Sequence, residues 1–254
     1  MTTAAGQSTT VLRTSDLSKS FGHVSALKGV SFDLKKGEVL AVVGDNGAGK
    51  STLIKLLSGA YDPDPGGSIE VDGAKRRFKG PLDASEAGIA TVYQDLALVD
   101  TRDVASNLFL GREPRRGPFV DRKTMIARSE EVLRDFTFRL PSVRVPVSLL
   151  SGGQRQTVAI ARVLLQGAHI VIMDEPTAAL GVQESERVLT LIRDLRDRGT
   201  SVIVVSHNLQ QVWKTADRIM VLRLGEVAGI RHTADSSVDE VVRLIVHGGE
   251  TVAD

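Results

Sequence analysis

Eight residues, Gly44-Asp45-Asn46-Gly47-Ala48-Gly49-Lys50-Ser51, have the types and spacing that phosphate chemistry needs. They fit G-x-x-x-x-G-K-[ST], a loop whose backbone cradles nucleotide phosphates. The glycines let the main chain approach an anion closely, and successive N–H groups form a nest for it. A helix starting after such a loop adds about half a positive charge at its N-terminus. Lys50 is placed to reach the β- and γ-phosphates, and the Ser51 hydroxyl to bind magnesium. A glycine-rich strand–helix turn that binds nothing would leave Lys50 and Ser51 at this spacing unexplained. The expected ligand is a nucleoside triphosphate.

Three apolar runs end in residues that suit the same chemistry. Ile170-Val171-Ile172-Met173 runs into Asp174-Glu175, Val202–Val205 into Ser206-His207, and Ile89–Tyr93 into Gln94. In a doubly wound sheet the carboxyl ends of the strands face the ligand crevice. Asp174 fits the acid that holds magnesium through its water shell, and Glu175 fits a group that polarises an attacking water. Two adjacent carboxylates beside a triphosphate need a metal between them, or one shifts its pKa sharply. Gln94 has an amide that can bind magnesium or position water. His207 can reach a γ-phosphate and sense its loss. A further turn, Ser151-Gly152-Gly153-Gln154, opens a helical pattern. Ser151 and Gln154 fit a capping box. The two glycines between them, expected to be exposed, weaken a first helical turn and are better explained by an anion approaching it.

The elements that must position these residues follow from hydrophobic pattern. Val39–Val43 leads into the phosphate loop as a strand, and Thr52–Leu57 leads out as a helix. Continuous apolar strands at 170–173, 202–205 and 219–222 alternate with helices, which indicates a parallel sheet buried on both faces. Val188, Leu191, Ile192 and Leu195 repeat at helical spacing, with Gly199 as the stop. Val11–Arg13, Val24–Leu27 and Val30–Asp33 read as short strands, as does Ser68–Asp72 after the turn cluster Asp62–Gly67. Between Asp95 and Leu150 the pattern changes to helices near Val104–Leu110 and Lys123–Phe138. An exposed basic loop, Gly111–Pro118, separates them. This stretch reads as a helical subdomain inserted in the α/β core. Asp239–Val246 reads as a peripheral helix, and Met1–Thr10 as a frayed tail.

Composition bounds the rest. The chain has 254 residues, 42% hydrophobic and 25% charged, with a formal net charge of +1 and no cysteine. It is long enough for one large α/β domain. Near-zero net charge offers no bulk electrostatic case for nucleic acid. Absent cysteines exclude disulfides and thiolate metal sites. No apolar stretch approaches the ~20 residues that span a bilayer, and the first residues lack a signal-peptide pattern. A cytoplasmic protein is expected, reaching a membrane only through a partner.

In this combination and order the motifs resemble those of the nucleotide-binding subunits of ATP-binding-cassette (ABC) transporters. The likeness runs from about Val11 to Glu226. It includes Walker A at Gly44–Ser51, the Q-loop at Gln94, the signature at Leu150–Gln154, Walker B at Ile170–Asp174 followed by Glu175, and the switch histidine His207. Phe21 falls at the aromatic A-loop position. The resemblance implies a P-loop NTPase core with a mainly parallel sheet, an N-terminal antiparallel β subdomain and a helical subdomain at about 95–165, all one domain over 11–254. It implies ATP and Mg2+, with ATP contacts at Phe21, Gly44, Asp45, Asn46, Gly47, Ala48, Gly49, Lys50, Ser51, Thr52, Ser151, Gly152, Gly153 and Gln154. The implied metal contacts are Ser51, Gln94 and Asp174. Glu175 corresponds to the family's general base, His207 to the γ-phosphate contact, and Gln94 to the link with the helical subdomain. It further implies a head-to-tail pair of cassettes, each ATP lying between one P-loop and the other chain's signature turn. Transmembrane permease subunits, and indirectly a periplasmic sugar-binding protein, are the implied partners, with the chain peripheral on the cytoplasmic face of the inner membrane.

Tyr93–Val99, Asn107–Pro114 and Pro176–Glu184 resemble more narrowly the carbohydrate-importer branch handling ribose, xylose and fructose, in its single-cassette form. Two departures stand out. Leu180-Gly181 replaces the usual Leu-Asp of the D-loop, and Phe21 replaces a common Tyr, keeping stacking but losing a phenol hydrogen bond. Rival readings fit less well. DNA-repair ABC proteins insert a coiled coil, and residues 95–150 lack sustained heptads. Translation members carry two cassettes and a basic linker. A P-loop kinase or GTPase leaves Ser151–Gln154 and His207 unexplained.

Overall fold

The computed structural model describes residues 9–134, 136 and 140–249. Its centre is a six-stranded sheet of order β12-β11-β3-β10-β9-β6: Glu226–His232, Arg218–Arg223, Val39–Val43, Ser201–Val205, Ile170–Asp174 and Ile89–Val92. All neighbours are parallel except the edge strand β12, which runs back antiparallel on β11. The apolar strands read from the sequence are all here. β12 was not anticipated, because it is only partly buried and follows a two-residue turn with Leu224 and Gly225 both at positive φ.

Period-two alternation assigns each face of this sheet to a separate core. Val39, Ala41, Val43, Val171, Met173, Val202 and Val204 face the helical side. There they meet α3 (Val104–Leu108), α5 (Gly152–Leu165) and α6 (Val182–Asp197). Leu40, Val42, Ile170, Ile172, Ile203 and Val205 face the other side. That side is covered by α1 (Lys50–Leu57) and by a second, antiparallel sheet of order β2-β1-β4-β5: Val24–Lys35, Thr10–Phe21, Ser68–Val71 and Ala74–Arg76.

The N-terminal strands differ from expectation. The pattern predicts three short strands, and the structure has two strands of 12 residues joined across Gly22-His23. Register shifts in the β1–β2 pair, one beside Asp16 at φ 51°, break the alternation by which one long strand would be recognised. Thr10 already belongs to β1 and pairs with Lys35, so the frayed tail cannot extend to it; residues 1–8 lie outside the described ones.

The helical insertion contains α3, a small hairpin β7–β8 (Arg115–Arg116, Phe119–Val120) within the basic loop, and α4 (Arg122–Arg134). The helix expected over 123–138 is seen at Arg122–Arg134; of its remaining residues, 135, 137 and 138 lie outside the described ones. Asp103 caps α3, accepting from the Ser106 N–H at 2.8 Å, and pairs with Arg122 at the start of α4. α2 (Pro81–Glu86), α7 (Leu209–Trp213) and α8 (Val238–His247) complete the helices. Among the described residues no helix is long and apolar enough to cross a membrane.

Candidate active site

Two glycines make the phosphate loop possible, each for a specific reason. Gly44 sits at φ 149°, where a Cβ would lie 2.1 Å from the Leu222 carbonyl oxygen. Gly49, at φ 107°, would put one 2.7 Å from the Ala26 carbonyl oxygen. Any side chain at either would force the loop off the end of β3. Gly49 is also the N-cap of α1 and offers no side-chain cap, so the first-turn N–H groups remain for a ligand. Lys50 Nζ donates to the carbonyls of Gly44 (2.6 Å) and Asp45 (2.9 Å), lying across the mouth of the loop. Burial pushes its pKa down, opposed by the carboxylates of Glu175, Asp45 and Asp174.

The carboxyl ends of β3, β6, β9 and β10 meet at one cleft of about 520 Å³. Asn46, Gly47, Gly49, Lys50, Ser51, Thr52, Gln94, Asp174, Glu175 and His207 all line it. Burial holds Asp174 above the usual carboxylate range; the neighbouring Glu175 adds to this and Lys50 opposes it. Glu175 adopts φ 47°, a left-handed conformation that is costly for a residue with a Cβ. Its N–H donates to the Val205 carbonyl at 2.9 Å, locking β9's exit to β10. Its Oε1 accepts from the His207 backbone N–H at 3.1 Å and from His207 Nδ1 at 2.8 Å. The histidine and the carboxylate therefore form one unit, a pairing that strand-end reading alone did not reveal.

Phe21 and Ser151–Gln154 do not line this cleft. Phe21 ends β1 with 44% of its surface exposed. Its ring packs edge-to-face on Tyr61, with centroids 5.3 Å apart, and Lys19 Nζ lies 5.7 Å from its centroid. Tyr61 was missed because the contact joins the end of β1 to the turn after α1, which no local pattern announces.

The capping box at Ser151 is present in full. Ser151 Oγ accepts from the Gln154 N–H, and Gln154 Oε1 accepts from the Ser151 N–H at 3.0 Å. The two glycines between them are not the exposed pair expected. Gly153 is buried, and Gly152 is half-buried against Leu180, whose Cδ2 a Cβ would approach to 2.5 Å. Internal packing on the Ala178–Gly181 turn is thus one reason for a glycine at 152. Gly181 itself N-caps α6 at φ −65° without a side-chain cap.

The ABC transporter family model matches residues 27–178, well over half of the chain. This chain belongs to the ABC transporter family. It is 44% identical over 235 residues to a xylose/arabinose import ATP-binding protein of Sulfolobus acidocaldarius, covering 92% of this chain and 93% of that one. It is 44% identical over 248 residues to a fructose import ATP-binding protein of Rhizobium meliloti, covering 94% and 95%. Among solved structures, a nucleotide-free ATP-binding cassette from an ABC transporter superposes with a TM-score of 0.80 at 25% identity, over 93% of this chain and 94% of that one. As an ABC cassette the chain is an ATP-binding and ATP-hydrolysing protein with the P-loop α/β fold.

Proposed function

We propose that this cassette powers uptake of a monosaccharide of the ribose, xylose or fructose class, working as one of a pair of nucleotide subunits beneath membrane permease subunits. The substrate class rests on full-length likeness to cassettes named for import of xylose/arabinose and fructose. The peripheral, cytoplasmic placement and the link to a sugar-binding protein follow from the same likeness. The observation that carries the chemistry is the single cleft that gathers Lys50, Ser51, Gln94, Asp174, Glu175 and His207.

Magnesium suits this residue set. Among the described residues there is no cluster of three or more His, Asp or Glu able to hold a metal alone. Magnesium asks for only one or two protein ligands besides water and phosphate oxygens. Ser51, Asp174 and Gln94 would hold it, and Asp174, its pKa raised by burial and by Glu175 against the opposing Lys50, is a carboxylate that a bound cation would stabilise. When bound, the ion would neutralise charge on the β- and γ-phosphate oxygens.

The nest at Gly44–Ser51 and the start of α1 bind the phosphates, with Thr52 beside them, and Phe21 is the platform for the base. Lys50, already at the loop's mouth, turns from two carbonyls to the γ-phosphate. Glu175 orients and deprotonates the attacking water through Oε2. Its Oε1 is held by His207. The ring nitrogen turned away from Glu175, Nε2, contacts the γ-phosphate by donating when it carries a proton, so loss of that phosphate is felt at Glu175. The Ser151–Gln154 turn serves the cleft of a second cassette, since it does not line the nucleotide cleft of its own chain. The helical insertion, about 95–165, is the part that moves against the core.

Glu175→Gln should bind ATP, turn over very slowly and accumulate as an ATP-bound dimer on size exclusion. Near-normal turnover would remove Glu175 as the base. For the substrate, a strain lacking this subunit should fail to accumulate one radiolabelled pentose or hexose. Normal uptake of all of them would sink the sugar assignment.

A further inference from the structure

Arg162 is a half-buried cation that the chemistry above leaves unused. It lies on α5, the helix that the Ser151–Gln154 turn begins, about 15 Å along its axis from that turn. Its guanidinium donates from Nη2 to the Leu96 carbonyl at 2.8 Å and from Nη1 to the Ala97 carbonyl at 2.9 Å. Among the described residues no carboxylate pairs with it, and burial alone pushes its pKa down. Burying a charge without a counter-charge is costly, and a Leu or Met would fill this space without that cost. The fork therefore serves the loop it grips rather than the packing around it.

That loop leaves Gln94. Ala97 is held at φ 47°, with its N–H on Asp95 Oδ1 at 3.1 Å. At its far end Val99 exchanges two hydrogen bonds with the fully buried Asn107 of α3, at 2.7 and 3.0 Å. Among the described residues, Asn107 ties the loop to α3 and Arg162 ties Leu96 and Ala97 to the helix carrying the signature turn, while just past the loop Asp100 pairs with Arg155 of the same helix at 3.4 Å.

We propose that Arg162 is a positioning residue for Gln94, fixing the Asp95–Val99 loop to α5 so that Gln94 and the Ser151–Gln154 turn move as one body. A bidentate fork suits this, because two parallel charge-assisted bonds fix orientation as well as distance. A lysine could reach one carbonyl at a time. The inference rests on the reading of Gln94 as a metal and water contact, and the test separates the two.

The purified full-length chain would be assayed as wild type, Arg162→Met, Arg162→Lys, Gln94→Ala and the Gln94→Ala/Arg162→Met double variant. Arg162→Met should lose about ten-fold in kcat, with the KM for ATP within about two-fold. Its half-saturating Mn2+ concentration should rise as in Gln94→Ala, and Arg162→Lys should recover part of both. The double variant should be no slower than the slower single one, because both changes remove the same contact. Independent, multiplying losses would overturn the Arg162 proposal while leaving Gln94 in place. Wild-type kinetics in Gln94→Ala would instead overturn the Gln94 reading. If Arg162→Met does not fold, hydrogen exchange on Arg162→Lys decides. Amides 95–98 should exchange at least about ten-fold faster while those of α5 do not change, and unchanged exchange in the loop overturns the proposal.

Discussion

Asp174, proposed above to hold the metal, carries a cost to the protein's own stability. Its carboxylate is half-buried beside Glu175, and among the described residues no side-chain hydrogen bond ends on it. The native pKa is therefore raised, and the charged form is worse off folded than unfolded. The cost is absent below the unfolded value of about 3.9, grows as pH rises past it, and is complete above the raised native value. Asp174→Asn should accordingly melt higher than wild type at pH 7.5 without nucleotide, while losing metal-dependent hydrolysis. The stability gain should shrink as pH falls towards about 4. Paired thermal melts across that range check this, and a gain independent of pH would show that the residue's charge is not the cause. Glu175 carries a different burden, its left-handed φ of 47°, held by hydrogen bonds to β10 and His207. The strain sits at the residue proposed to handle water, a common place for it.

At the scale of elements, the two sheets are tied by a buried ion cluster. Arg218 of β11 donates to Glu38 Oε1 at 3.1 Å and to Asp33 Oδ1 at 3.3 Å, and both Arg218 and Glu38 are buried. Glu38 Oε2 also accepts from the Lys35 N–H at 2.7 Å, so one carboxylate fixes the exit of β2 and the entry to β3. Removing one member of a buried pair leaves the other uncompensated and costs about 3–5 kcal/mol. Glu38→Ala should lose about this much in urea unfolding, with the midpoint falling and the slope unchanged. A change under about 1 kcal/mol would mean that Asp33 alone suffices for Arg218. Among the described residues the helical insertion has no such link to the antiparallel sheet. It shares its apolar core with the opposite face of the central sheet, so the face that binds the phosphate helix can stay rigid while the other shifts.

For the whole molecule, the cleft is built from one chain but the signature turn is not part of it. A site completed by a second cassette makes activity depend on encounter. ATPase activity should rise more than linearly with subunit concentration at low protein, while ATP binding per subunit stays constant. Strictly linear activity down to monomeric dilution would contradict the shared site. Gly181, in place of the usual acid, sits at the turn against which Gly152 packs, so any cross-dimer contact made there uses backbone rather than a carboxylate.

The sequence by itself determined the parallel sheet, the phosphate loop, Gln94, Asp174, Glu175 and His207 as strand-end residues, and the capping box at Ser151. These are local features: an apolar run, a glycine spacing or a cap is written within a few consecutive residues. Only the tertiary structure decided the length of the N-terminal strands, where bulges scramble the alternation, and the edge strand β12. It also decided that Gly153 is buried and Gly152 packed on Leu180, that Tyr61 braces Phe21, that Glu175 and His207 hold each other, and that Arg162 grips Leu96 and Ala97. The contacts among these join residues far apart in the chain, and no pattern in one segment specifies what another brings against it, while β12 is local but only partly buried and so lacks an apolar run.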